Sequence, residues 1–219
     1  MFVEIALTRG LADNLPELLN REDAVDGADT AIFYSITSCQ PGLAGVHLGN
    51  ELIKQVVDQL RHDDDRLRTF ATLSPLPGFR AWVASQTAAG GLTPAELEAL
   101  GPDLGALAAV GDGAWLADAA TAERVRPALL SLGARYLQTV RGGRALDPVA
   151  NFHLSNGASL ERINWMANPA RYGIDESYGL MVNYRYDRTK IAANAGAYLT
   201  DGSISTSSHV RGLVKTTKL

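Results

Sequence analysis

The chain has 219 residues, of which 46% are hydrophobic and 20% are charged, and its formal net charge is -4 at pH 7. This composition is typical of a globular protein with a full hydrophobic core and argues against intrinsic disorder. It also argues against a broad nucleic-acid surface, because such surfaces carry a clustered excess of Lys and Arg. A single cysteine, Cys39, excludes an intramolecular disulfide and favours a reducing compartment such as the cytoplasm.

The two ends of the sequence predict no secretory signal. The first apolar run contains Glu4 and has no basic leader, and no apolar run in the sequence reaches membrane-spanning length. At the other end, Thr217, Lys218 and Leu219 resemble the Ser-Lys-Leu peroxisomal signal except at the first position. Cytoplasm is therefore the predicted location, with the peroxisome as the alternative.

The first third of the chain has the pattern of an α/β protein. Residues 2–8 and 30–37 are short runs rich in β-branched and aromatic residues, which predicts two strands. From Leu48 onward apolar residues recur at helical spacing, which predicts an amphipathic helix. Residues 67–73 predict another strand, and Pro75 lacks an amide donor, so Ser74 is expected at a strand end.

The middle of the chain predicts helices. Thr93 to Glu96 has the pattern of a helix N-terminus with a capping box, and Ala and Leu dominate residues 116–140. Pro127 interrupts that stretch, so we expect helices around a bend. These residues are interpreted as a helical insertion, about 90–141, within a single domain that spans 1–219.

Extended and helical patterns follow. Residues 149–154 and 158–165 predict two strands that flank a hairpin turn at Ser155, Asn156 and Gly157, which would place His153 on a strand. Residues 178–186 and 189–199 have helical or mixed character. The fold class predicted from the whole pattern is α/β or α+β.

A glycine-rich turn between the second strand and the first long helix is the strongest local signal for a ligand. Glycine lets the backbone approach a phosphate closely, and the free N–H groups at a helix start point donors at anions. The spacing of Gly42, Gly45 and Gly49 matches neither the dinucleotide fingerprint nor Walker A. The turn could hold a pyrophosphate, and the alternative is an ordinary strand-to-helix connection.

The four histidines have no spacing that predicts a metal site. His62 and His209 lie in charged or polar surroundings and are expected to be solvated, whereas His153 has apolar neighbours. Ser74 stands where a hydroxyl could face a pocket, although it could equally cap a helix over 78–88. Spacing alone does not pair Ser74 with His153.

Several uninterrupted stretches resemble the catalytic domain of malonyl-CoA decarboxylases. They occur in that family's order and cover most of residues 30–186. The longest of them are 73–79, 146–154, 162–167 and 179–186, and shorter ones are 33–36, 42–43, 45–46, 48–49 and 156–158.

The resemblance implies a fold, an activity and a set of site residues. The fold is similar to GNAT-type acyltransferases, with a mixed sheet that is flanked by helices and splayed around an acyl-CoA. The activity is conversion of malonyl-CoA to acetyl-CoA and CO2, in fatty-acid metabolism, without a metal or organic cofactor. Ser74 and His153 match the family's catalytic serine and histidine, and Ser35 and Tyr186 match pocket-lining residues. The matches to the CoA-binding loop are Ala44, Gly45, Val46, His47, Leu48, Gly49 and Asn50.

The sequence departs from the family pattern in two ways. His47 stands where the family usually carries glutamate, which changes charge and hydrogen bonding near the expected thioester site. The helical N-terminal domain that contributes to oligomerisation in the family is not predicted in this sequence, which is interpreted either as a truncated product or as a catalytic domain acting alone, so a homo-oligomer is expected to be weakened. Two alternative functions stay open: a CoA-dependent acyltransferase and a non-catalytic acyl-CoA binder.

Overall fold

The computed structural model describes residues 2–20, 25–37, 48–101, 107, 115 and 118–215. In chain order, the strands and helices of these residues are β1 (Phe2–Thr8), α1 (Leu15–Leu19), β2 (Thr30–Thr37), α2 (Leu48–Asp63), β3 (Thr69–Thr72), β4 (Ser74–Pro75), α3 (Phe79–Ala88), α4 (Pro94–Leu100), α5 (Ala119–Leu137), β5 (Val140–Arg141), β6 (Arg144–Ala145), α6 (Pro148–Ser155), β7 (Ser159–Asn164), α7 (Arg171–Ser177), β8 (Met181–Arg185), α8 (Ile191–Asp201) and α9 (Ser208–Lys215).

A six-stranded mixed sheet forms the centre of the described residues. β1 is antiparallel to β2, and β2 is parallel to β3. β8 pairs antiparallel with β3 and β4 on one side and with β7 on the other. The predicted α/β class, with a mixed sheet flanked by helices, is confirmed, as are the strands at 2–8 and 30–37 and the helix that begins at Leu48.

The sheet opens between β2 and β4. β2 and β3 pair from Thr30 to Phe33, and the last bond between them runs from the Leu73 N–H to the Phe33 carbonyl at 3.1 Å. Beyond Phe33, β2 stays with β1 as far as Thr37, whereas β4 stays with β8. In the described part of the chain β2 does not pair with β4, so a cleft separates these two strands.

α5 is one helix that runs through Pro127, so the expected break between two helices is wrong. The residues on both sides of the proline explain this, because Val125, Leu129 and Leu132 are all buried in the main core. Each such side chain contributes about 1.5–3 kcal/mol by burial, and together they outweigh the roughly 3 kcal/mol that an interior proline costs. The interpretation of 90–141 as an insertion stays a prediction.

The segment that carries His153 is a helix, so its prediction as a strand is wrong. Asp147 caps α6, because its Oδ1 accepts the Ala150 N–H at 2.6 Å, and Pro148 occupies the first helical position. The helix ends at Asn156, and Gly157 has a φ of 83°, which turns the chain toward β7 and forms no hairpin. Aspartate and proline in sequence are a helix-start signal that outweighs the aromatic content of the segment.

The capping box of α4 is confirmed: Thr93 Oγ1 accepts the Glu96 N–H, and Glu96 Oε2 accepts the Thr93 N–H. The helical or mixed character expected for 178–186 is wrong, since most of that segment is the buried strand β8. A strand whose two faces are both buried lacks the alternation of apolar and polar residues that identifies strands in a sequence.

Candidate active site

The cleft between β2 and β4 holds a cavity of about 400 Å³. Three segments line it: the second half of β2, the end of β3 with β4, and one face of α6. The lining residues are Phe33, Tyr34, Ser35, Ile36, Leu73, Ser74, Pro75, Pro148, Val149, Phe152 and His153. Ser35, Ser74 and His153, which the family resemblance selected, therefore share one cavity.

Ser74 and His153 lie in direct contact although they are 79 residues apart in the sequence. Ser74 Oγ is 3.2 Å from His153 Nε2, and both side chains are buried, with 6% and 3% exposed. The alternative role of Ser74 as a helix cap is wrong, because Gly78 occupies the cap position of α3 and no side chain bonds there. A hydroxyl and an imidazole that meet in a cavity wall can position a substrate and exchange protons with it.

Two tyrosines, Tyr184 in β8 and Tyr186 just beyond it, fix the imidazole of His153. Tyr186 Oη is 2.8 Å from His153 Nδ1, and the ring of Tyr184 stacks on the imidazole with the centroids 4.4 Å apart. Tyr186 thus lies behind the imidazole, one hydrogen bond away from the cavity. The sequence reasoning missed Tyr184, although residues i and i+2 of a strand share one face, which was a usable signal beside Tyr186.

Thr72 holds the serine from the opposite side. Its hydroxyl oxygen is 2.8 Å from Ser74 Oγ and accepts the backbone N–H of Tyr184 at 3.1 Å. The sequence reasoning missed this residue as well, although Thr72 and Ser74 also stand two positions apart along an extended segment. The hydroxyls, imidazole and phenol form one hydrogen-bonded network, which runs from Thr72 to Ser74, His153 and Tyr186.

Burial lowers the pKa of His153 to about 3, because the imidazolium would lose its hydration without gaining a carboxylate partner. The imidazole is therefore neutral at pH 7 in this structure. Burial raises the pKa of Tyr186, so its phenol also stays protonated. Each of the four groups in this hydrogen-bonded network is neutral and can both donate and accept a hydrogen bond.

We expect His153 to make the fold sensitive to acid. The imidazole takes up a proton below pH 6.5 in the unfolded chain but only near pH 3 in the folded chain. Protonation of the unfolded chain therefore lowers the free energy of unfolding as the pH falls below 6.5, whereas above pH 6.5 this stability is fully present. Between pH 7 and pH 4.5 the loss amounts to roughly 2–3 kcal/mol. Urea unfolding of the wild-type chain and of His153→Gln at both pH values measures it.

The comparison with the variant is essential, because burial raises the pKa of Asp147 to about 6. A carboxyl with a raised pKa stabilises the fold at low pH and loses that contribution as the pH rises from about 3.8 to 6, which opposes the effect of His153. The free-energy gap between His153→Gln and wild type should shift with pH by the stated amount. A gap that is constant with pH would contradict a lowered pKa of His153 in the folded chain.

Comparison with known proteins gives the family. The family model described as "Malonyl-CoA decarboxylase C-terminal domain" matches residues 1–219. The chain belongs to the malonyl-CoA decarboxylase family. It is 36% identical to "Malonyl-CoA decarboxylase, mitochondrial" of Anser anser anser over 98% of this chain and 46% of that protein, and 34% identical to the protein of the same name from Rattus norvegicus over 97% and 47%.

Solved malonyl-CoA decarboxylase structures agree with the fold described above. The chain matches the crystal structure from Rhodopseudomonas palustris with a TM-score of 0.86 and 42% identity, covering 96% of this chain and 48% of that one. For the structure from Agrobacterium vitis the TM-score is 0.86 and the identity 41%, over 97% and 52%. The chain thus spans about half the length of the malonyl-CoA decarboxylases that it matches.

Part of the family's CoA-binding loop lies outside the described residues. Ala44, Gly45, Val46 and His47 fall there, whereas Leu48, Gly49 and Asn50 form the first turn of α2. That turn follows β2, whose second half lines the cavity. Within the described ranges, no group of three or more His, Cys, Asp or Glu side chains is placed to hold a metal ion, and no helix is long and apolar enough to cross a membrane.

Proposed function

We propose that the chain decarboxylates malonyl-CoA to acetyl-CoA and CO2, and that Ser74 and His153 act on the reacting malonyl group. Membership of the malonyl-CoA decarboxylase family supports the reaction. The observation that carries the residue assignment is the 3.2 Å contact between Ser74 Oγ and His153 Nε2 in the wall of the cleft. A thioester in this cavity would lie against both side chains.

The first step is breakage of the bond between the carboxylate carbon and the α carbon. CO2 leaves, and the electron pair moves onto the thioester as an enolate, whose charge rests mainly on the oxygen. The Ser74 hydroxyl donates a hydrogen bond to that oxygen as its charge develops. Such a donor stabilises the enolate more than the neutral carbonyl that precedes it, so it accelerates the step.

The second step is protonation of the α carbon. Burial keeps His153 neutral in this structure, but the negative carboxylate of a bound malonyl group would raise the pKa of the neighbouring imidazole. Substrate binding therefore favours the imidazolium, whose Nε2 proton is transferred to the enolate carbon to give acetyl-CoA. The turnover consumes one proton and restores the neutral imidazole.

The cavity wall favours loss of the carboxylate. The described lining residues include no Lys or Arg. A carboxylate that leaves water for this apolar wall loses hydration and meets no Lys or Arg there, so the His153 imidazolium is the one partner proposed for its charge. The charge of the enolate is delocalised and CO2 is neutral, so the apolar surroundings penalise the substrate more than the transition state.

The CoA part of the substrate is assigned to the loop Ala44 to Asn50 and the first turn of α2. The first free N–H groups of a helix attract anions, and α2 has 16 residues, long enough to present a full N-terminal turn. A pyrophosphate bound there would let the pantetheine arm run along β2 past Ser35 to the cavity.

The deciding experiment is an assay of the purified chain with malonyl-CoA, in which CO2 and acetyl-CoA are both measured. We expect the two products in equal amounts without an added amine or metal. Tight binding without CO2 release would contradict the proposal and support a non-catalytic acyl-CoA binder. Formation of an acyl-amine only when an amine is added would contradict it in favour of an acyltransferase.

A further inference from the structure

The sheet is interrupted directly beside Ser74. β3 and β4 face β8 in one register, with Ala71 opposite Arg185 and Ser74 opposite Val182. At Thr72 and Leu73, between those pairs, the ladder is missing in the described structure. Side-chain atoms take its place: Thr72 Oγ1 accepts the Tyr184 N–H, and the Asn183 side chain donates to the Thr72 carbonyl at 2.7 Å.

From this arrangement we infer that Thr72 is a positioning residue for the reaction, which holds and then releases the hydrogen of the Ser74 hydroxyl. The inference rests on the proposed decarboxylase function. Thr72 is fully buried and does not line the cavity, so it acts through Ser74 without touching the substrate. Its backbone is fixed by Asn183 and its oxygen by Tyr184, which leaves the hydroxyl hydrogen free to reorient.

In the hydrogen bond between Thr72 and Ser74, either hydroxyl can be the donor. In the resting site Ser74 donates to Thr72 Oγ1 at 2.8 Å, so its hydrogen points away from the cavity. When an enolate oxygen forms in the cavity, the Ser74 hydrogen turns to it, and the Thr72 hydroxyl donates to the vacated Ser74 Oγ. A hydroxyl that accepts such a bond becomes a stronger donor, because hydrogen bonds in a chain polarise one another.

The test removes the Thr72 hydroxyl without changing the side-chain shape. Thr72→Val is expected to lower kcat for malonyl-CoA about 10- to 100-fold, the range for loss of one buried hydrogen-bond partner. KM should change less than about twofold, because Thr72 does not contact the substrate. Thr72→Ser keeps the hydroxyl and should restore kcat to within about threefold of wild type.

A double-variant cycle separates this role from a merely structural one. In the Ser74→Ala background, Thr72→Val should have no further effect on kcat, because the hydroxyl through which Thr72 acts is gone. Thr30→Val is the matched control. Thr30 is a threonine of the same sheet, 1% exposed, whose hydroxyl donates to Asp29 Oδ1 at 2.7 Å, away from the site. It should leave kcat unchanged.

The outcomes of these assays distinguish the role of Thr72 from the proposed decarboxylase function. Wild-type kcat in Thr72→Val, or an equal drop with and without Ser74, overturns the role of Thr72 while the decarboxylase function stands. Absence of CO2 release by the wild-type chain overturns the proposed function itself. If Thr72→Val does not fold, Thr72→Cys keeps the size with a much weaker donor, and wild-type kcat in that variant overturns the inference equally.

Discussion

His153→Ala is expected to lower kcat for malonyl-CoA by about two to four orders of magnitude, the range for loss of a general acid. Ser74→Ala is expected to lower it about 100- to 1,000-fold, as for loss of a donor to a developing oxyanion. The reason lies in the geometry: Nε2 and Oγ are 3.2 Å apart, and both side chains line the cleft that is proposed to hold the reacting thioester. Steady-state assays of CO2 release measure both effects.

Affinity for CoA separates chemistry from binding in these variants. The Kd of CoA, measured by calorimetry, should change less than about threefold, because neither residue lies in the segment assigned to the pyrophosphate. His62→Ala is the matched histidine control, since His62 is exposed at the end of α2, and it should keep wild-type kcat. Wild-type kcat in His153→Ala would contradict the catalytic assignment.

A buried imidazole also supports the fold, so folding has to be measured beside activity. His153→Ala leaves a cavity against the ring of Tyr184 and removes the partner of Tyr186 Oη. His153→Gln fills more of that space and should show the same loss of kcat with a smaller loss of stability. If kcat instead falls in proportion to the loss of stability, and less in His153→Gln than in His153→Ala, His153 has a structural role.

The sequence predicted those elements whose residues repeat at a regular period or carry a cap. β1, β2, α2 and the capping box of α4 all show such local signals, and the structure has them. α6 was missed, although Asp147 and Pro148 are a helix-start signal. β8 was missed because a central strand with two buried faces shows no alternation.

The pairs that build the candidate site could not be predicted from spacing. Ser74 and His153 meet only because β4 and α6 line the same cleft, and 79 residues separate them in the chain. The resemblance to malonyl-CoA decarboxylases selected both residues but gave no reason for their contact. The role of Thr72 depends on an interruption of the ladder at one point of the sheet, which no local pattern encodes.

Arg135→Met is expected to lower the free energy of unfolding by roughly 3–5 kcal/mol, the cost of leaving a buried charge without its partner. Glu96 is fully buried, and Arg135 Nη1 lies 2.8 and 2.6 Å from its two carboxylate oxygens. Arg135 Nη2 also donates to the Gly91 carbonyl, and the guanidinium lies over the Trp82 ring. Urea unfolding at pH 7 measures the loss.

Two further variants identify the cause of that loss. Arg126→Met removes an exposed ion pair with Glu123 and should cost less than about 1 kcal/mol, as exposed pairs do. Adding Glu96→Gln to Arg135→Met removes the stranded charge while keeping a side chain that can accept the Thr93 N–H, so it should restore a large part of the lost stability. No recovery in the double variant would mean that packing of the Arg135 stem, and not its charge, stabilises this region.

The position of Arg135 also predicts how activity responds. Tyr136, the next residue, donates its hydroxyl hydrogen to the Pro77 carbonyl at 2.6 Å, three residues after Ser74. This bond joins α5 to the segment that leaves the cleft, and it does not involve the guanidinium. Arg135→Met should therefore lower the temperature at which decarboxylation is lost while kcat well below that temperature stays near wild type. A fall in kcat at low temperature would instead mean that Arg135 helps to hold Ser74 in place through Tyr136 and Pro77.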